Sequence, residues 1–181
     1  MFPTFTEIDS MYVLVTFIFM FISFLLQSTL LSQFTIGDIT PNLLLITVSA
    51  TGLLLGRRFG MISGFLGGLV VDIFFGRILG LYALLYMLAG YLNGIFRKVL
   101  FPGDFKLPLA LIMGSDLAFG HACYILMFFF RGDFNYVFYL TKIILPEVIY
   151  TTIIAIFYFP LIKYVIGRIQ YHEQKAEETV E

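Results

Sequence analysis

Charge is scarce in this 181-residue chain. Asp, Glu, Lys and Arg make up 13% of it, against about 25% in a soluble domain. Apolar residues make up 60%, and the mean hydropathy is +0.94. A chain of this length has no interior large enough to hide so much apolar surface from water, so its solvent is a bilayer. The net charge of −1 leaves no basic surface to neutralise phosphates, which argues against nucleic acid as a partner. Cysteine is nearly missing. Cys123 alone allows neither an internal disulfide nor a cysteine metal cage, and it reads as a small packing residue. Tryptophan is missing altogether, so Tyr12, Tyr136, Tyr139 and Tyr164, near expected span ends, are the candidate interfacial anchors. The leader MFPTFTEIDS has no Lys or Arg, and no small-x-small cleavage site follows. The first apolar run therefore reads as a retained span, not a signal peptide.

Catalytic signatures are missing too. There is no Walker loop, GxSxG, HExxH or nucleophile beside a base, and the two histidines lack metal-site spacing. The expectation is a protein that is not an enzyme and carries neither cofactor nor metal.

What is present is a series of six apolar segments, 11–31, 41–55, 59–75, 79–96, 107–130 and 146–166. A span needs about 20 residues to cross a core of about 30 Å. The second to fourth segments are shorter, so they extend into their loops, thin the bilayer or are re-entrant. The expected fold class is an all-α integral membrane protein, a six-transmembrane-helix bundle forming one domain over residues 1–170. A short acidic, solvated tail follows at 171–181. Pro41 suits the first helical position of the second span, Pro108 that of the fifth and Pro146 that of the sixth, while Pro160 should kink or end the last. With the N-terminus inside, Arg57, Arg58, Arg97, Lys98, Lys106, Lys163, Arg168 and Lys175 all fall on the inner side. Arg77, Arg131 and Lys142 fall outside. That bias places both termini of this multi-pass membrane protein in the cytoplasm.

A ladder of small residues is the most distinctive pattern. Gly52, Gly56, Gly60, Gly64 and Gly68 recur every four residues, and Asp72 continues the series. Within the third span Gly60, Gly64, Gly68 and Asp72 share a face, suited to close helix packing inside the bundle or to an interface with a partner protein. Asp72 near the span end is open to three readings: helix pinning, partner contact, or proton or ion coupling. It would be ionised beside Arg77, or neutral and bonded to a backbone carbonyl. Asp116, His121 and Asn93 are further intramembrane polar residues, fit for a proton relay or for satisfied polar packing. Glu147 reads as a first-turn carboxylate meeting a helix dipole, or as a partner-facing group.

The stretch PNLLLITVSATGLLLGRRFGMISGFLGGLVVDIFFGRILGLYALLYMLAGYL, residues 41–92, resembles the MreD family of rod shape-determining proteins. Pro41-Asn42, the Gly64-to-Asp72 segment, Gly80-Leu81, Gly90-Tyr91-Leu92, Pro146-Glu147 and Pro160 carry the likeness. The resemblance implies a non-enzymatic membrane scaffold of the cell-elongation complex. Its partners would be an MreC-type single-span protein and, indirectly, an MreB-type actin homologue and the peptidoglycan synthases. That family is in turn similar in fold to the membrane substrate-binding subunits of energy-coupling-factor transporters. The alternative is therefore a vitamin-type transporter subunit, with Tyr82, Tyr86, Asn93 and Asp116 able to line a pocket near the outer face.

Overall fold

A computed structural model of the protein describes residues 7–30, 39–76, 78–100, 104–127 and 135–180. These residues form six helical rods. α1 is Glu7–Leu25, continued by a π-helical turn at Leu26–Leu30. α2 is Leu43–Leu55, α3 is Arg57–Phe75 and α4 is Leu81–Ile95, which ends in a 3-10 turn at Phe96–Val99. α5 is Lys106–Met127. α6 has three pieces: Tyr136–Tyr139, a π-helical turn Leu140–Ile144, and the long Leu145–Val180. Four of the rods are long and apolar enough to cross a membrane (Met11–Thr29, Arg57–Phe75, Lys106–Met127 and Tyr136–Tyr171). α2 is a shorter apolar helix.

Why α2 can be short follows from its surroundings. Every residue in it except Leu54 is buried. It is apolar around its whole circumference because protein surrounds it on all sides. One face meets Tyr12, Ile112, Phe159 and Ile162 through Ile46 and Leu53, and another meets Met20, Tyr86 and Ala89 through Leu44, Leu45 and Val48. Its hydroxyls bond along or across helices instead of facing lipid. The Thr51 hydroxyl donates to the Thr47 carbonyl at 2.7 Å, and Ser23 shares hydrogen bonds with Thr47 at 2.6 Å and with the Tyr158 hydroxyl at 2.8 Å. Those last two tie α1, α2 and α6 together. Such a bond within a membrane stabilises by about 0.6–2 kcal/mol.

Helix ends are capped as the sequence punctuation requires, with corrections. Asn42, not Pro41, begins α2: its side chain accepts the Leu45 N–H at 3.1 Å, so Pro41 stands before the cap rather than at the first helical position. Pro108 does fall in the first turn of α5, where Asp104 accepts the Lys106 N–H at 3.1 Å. A single residue, Gly56, joins α2 to α3 at φ +101°, a conformation that only glycine adopts without strain. Arg97 donates to the Leu55 carbonyl at 3.0 Å and so closes the end of α2.

The last rod departs most from expectation. Pro146 does not open it: the helix starts at Tyr136, and Pro146 lies inside. Proline lacks an N–H and its ring clashes with the carbonyl four residues back. The π-helical turn just before it, where the Leu145 N–H bonds the Leu140 carbonyl, widens the helix to admit the ring. Pro160 does not end the rod either, and helix continues through the acidic tail to Val180. Glu147 is accordingly in mid-rod and has no free helix start to face. Tyr12 is also not an interfacial anchor. It is 8% exposed and packs edge-on against Phe59, with ring centroids 6.1 Å apart. Arg77 and Arg131 lie outside the described residues.

Candidate functional site

α3 shows what the glycine ladder does. Gly60, Ser63, Gly64, Gly67, Gly68 and Asp72 are its buried residues, while Ile62, Phe65 and Ile73 face outward. The small face meets α4 of the same chain. A methyl group on Gly60 would overlap the Gly90 carbonyl, one on Gly64 the Tyr86 carbonyl, and one on Gly68 the Ala83 backbone at 2.5 Å. Gly52 on α2 meets Gly90 in the same way. Backbones this close gain dispersion contact that longer side chains would prevent. The face is thus occupied from within, by α4.

Asp72 ends this seam. Its carboxylate accepts three backbone N–H groups from the start of α4: Gly80 at 3.0 Å and Ala83 at 2.9 Å on Oδ2, and Tyr82 at 3.0 Å on Oδ1. Gly80, the residue before α4, is at φ +95° and has no side chain to offer as a cap. An acid from α3 takes over that task at the positive end of the α4 dipole. Its partners are amides rather than the backbone carbonyl expected of a neutral acid. At 3% exposure the side chain is held inside the protein, without a free face for a partner.

The other polar residues separate into distinct places. Asn93 Nδ2 donates to Ser49 at 3.2 Å, Ser115 at 2.7 Å and the Ala89 carbonyl at 2.8 Å, joining α2, α4 and α5. His121 bonds the Leu117 carbonyl and the Tyr136 hydroxyl, both at 2.7 Å. Neither residue hydrogen-bonds Asp116, so the three do not form a directly bonded relay. Asp116 is 2% exposed, and the donors that approach its oxygens, the Thr151 and Asn42 side chains, do so outside ideal hydrogen-bond geometry. The Asn42 backbone N–H donates to Thr151 Oγ1 at 3.0 Å and the Tyr86 hydroxyl donates to Asn42 Oδ1 at 2.9 Å, bonds that use neither the Thr151 hydroxyl hydrogen nor Asn42 Nδ2.

Next to this cluster is a cavity of about 470 Å³, at the end of the bundle where α2 and α4 begin. Tyr82, Tyr86, Phe119, Tyr124 and Tyr139 supply aromatic walls, and Glu147 supplies a carboxyl group. The rings brace one another: Tyr86 and Phe119 have centroids 4.6 Å apart, and Tyr124 and Tyr139 are 5.2 Å apart. The expectation of Tyr82 and Tyr86 beside a pocket matches this position. Neither Asn93 nor Asp116 is among the lining residues. Cys123 and Glu147 are, and sequence reasoning assigned neither to a pocket. For Cys123 the signal was spacing, since Phe119, Gly120, Cys123 and Tyr124 fall on one face of α5. At the opposite end, Arg57, Arg58, Arg97 and Lys98 surround a groove of about 550 Å³.

No curated protein and no solved structure matches the chain. The expected fold likeness to energy-coupling-factor subunits therefore gains no support from comparison. One family does match, described as rod shape-determining protein MreD, over residues 8–169. That match covers nearly every helix described above, including the glycine seam, the Asp72 cap and the aromatic cavity. The chain belongs to the MreD family of rod shape-determining membrane proteins.

Proposed function

We propose that the protein is a non-enzymatic scaffold of the cell-elongation complex. It binds an MreC-type single-span protein and, through it, helps position peptidoglycan synthesis. The observation that carries this reading is the family match over residues 8–169, which gives a role in rod shape. The surface is consistent with such work. Leu14, Phe17 and Phe21 on α1 and Ile149, Ile153 and Phe157 on α6 are exposed apolar side chains. Within a bilayer such faces meet either lipid tails or a partner helix. Since the glycine seam is filled by α4, partner contact falls to these outer faces. The basic groove faces the cytoplasm in this reading, with both termini on that side.

Depletion in a rod-shaped bacterium, with recovery of the tagged chain from its membranes, tests the reading. Rounded cells and co-isolation of an MreC-type protein are expected. Cells that stay rod-shaped on depletion would reject it. The transporter alternative has one observation in its favour, the cavity. A nutrient requirement with unaltered shape would put that alternative first.

A further inference from the structure

The aromatic cavity has a charge problem that its own residues do not solve. Glu147 lines it, and no Lys, Arg or His is among the lining residues. Asp116 lies one helical turn before Phe119 and Gly120, on the same face of α5, with the Thr151 and Asn42 side chains as its neighbouring donors. The cavity wall thus holds one carboxyl group, with a second behind it, and no positive group lines it among the described residues. A buried polar group without a partner is costly, and a buried charge more so. The walls suggest what would relieve that cost. Tyr82, Tyr86, Phe119, Tyr124 and Tyr139 present a set of aromatic rings, whose faces attract cations, ammonium groups above all. A hard metal ion fits poorly, since it wants six or more oxygen ligands. Among the described residues no three His, Cys, Asp or Glu side chains come together to hold one. The rest of the wall is divided between apolar Phe24, Val71, Phe75 and Ile143 and the uncharged polar Gln27, Ser28, Thr40 and Asn42. At about 470 Å³ the cavity is in the usual range for small ligands, about 300–1,000 Å³.

We propose that this cavity is a binding site for an organic ammonium ion with an apolar body. The aromatic rings surround the cation and Glu147 is its counter-charge. Asp116 adds negative potential from beneath, and Phe24 and Phe75 contact the apolar remainder. This goes beyond the scaffold reading and does not rest on it. A lipid amine headgroup and a free amine share this chemistry.

Phenethylammonium is the probe, titrated calorimetrically into the purified full-length chain in nanodiscs of phosphatidylglycerol. Saturable binding is expected. The near-isosteric neutral alcohol 2-phenylethanol should bind at least about tenfold more weakly, a difference of ~1.4 kcal/mol. Glu147→Gln should weaken the cation by a similar factor and leave the alcohol unchanged. Thermal unfolding of the ligand-free variant checks that it folds. If it does not, the comparison of cation with alcohol on the unaltered chain carries the test. Adding phosphatidylethanolamine to the nanodiscs separates the sources: loss of probe affinity assigns the lipid headgroup, and unchanged affinity assigns a free amine. No saturable binding at millimolar probe, equal binding of cation and alcohol, or full cation affinity in a folded Glu147→Gln variant would overturn the proposal.

Discussion

At the scale of single residues, glycines of the same helical type differ by what faces them. Gly64 lies against the Tyr86 carbonyl, while a methyl group on Gly114 in α5 would meet nothing within 4 Å. Gly64→Ala should therefore destabilise the protein by ~1–3 kcal/mol through overpacking. Gly114→Ala should be neutral or stabilise it by up to ~1 kcal/mol through helix propensity. Thermal unfolding in detergent measures both, and equal effects would contradict the seam. Asp72 permits a graded test of the same kind. Asp72→Leu leaves three amides at the start of α4 without an acceptor, and each such loss costs about 1–3 kcal/mol if water does not replace it. Asp72→Asn keeps one oxygen and should lose clearly less. A melting temperature that falls equally in both variants would mean that charge, not hydrogen bonding, is what α4 requires.

At the scale of helices, the legible and the illegible parts of the fold have different causes. The breaks near Gly56 and Pro41 were readable because they rest on local chemistry, the backbone preferences of glycine and proline. The four-residue glycine period was readable for the same reason. Which helix would fill that face was not, because α3 and α4 carry complementary small residues that no local rule pairs. The start of the last rod was misjudged at Pro146, because a proline in mid-helix reads as a boundary unless a wide turn absorbs it. The acceptor role of Asp72 was hidden by distance along the chain, its donors starting at Gly80. Glu147 looked like a helix-start carboxylate for the same mistaken reason as Pro146 and proved to line a cavity. A test follows for α6. Pro146→Ala restores an N–H and removes the need for the π-helical turn, and each residue taken out of a helix rotates what precedes it by about 100°. Tyr139 and Ile144 would then leave the cavity wall. Cys123, the one thiol of the chain and a lining residue, should react faster with a small maleimide. An unchanged labelling rate would show that the turn persists without the proline.

At the scale of the whole molecule, the basic groove and the aromatic cavity occupy opposite ends. Arg57, Arg58, Arg97 and Lys98 collect where α2 turns into α3, while the aromatic cavity opens where α2 and α4 begin. With the basic end inside, Arg58→Cys in a Cys123→Ala background should resist a membrane-impermeant thiol reagent in intact cells. It should react in inverted vesicles. Labelling from outside would reverse the orientation. α2, wrapped by its neighbours, also bears on how the protein is made. At 13 residues it measures only about 20 Å and carries Thr47, Ser49 and Thr51 along its length. A ribosome delivers it before α3 to α6 exist to enclose it. The nascent segment must therefore wait at the insertion machinery or beside α1 until later helices arrive, which makes biogenesis depend on the last part of the chain to be synthesised.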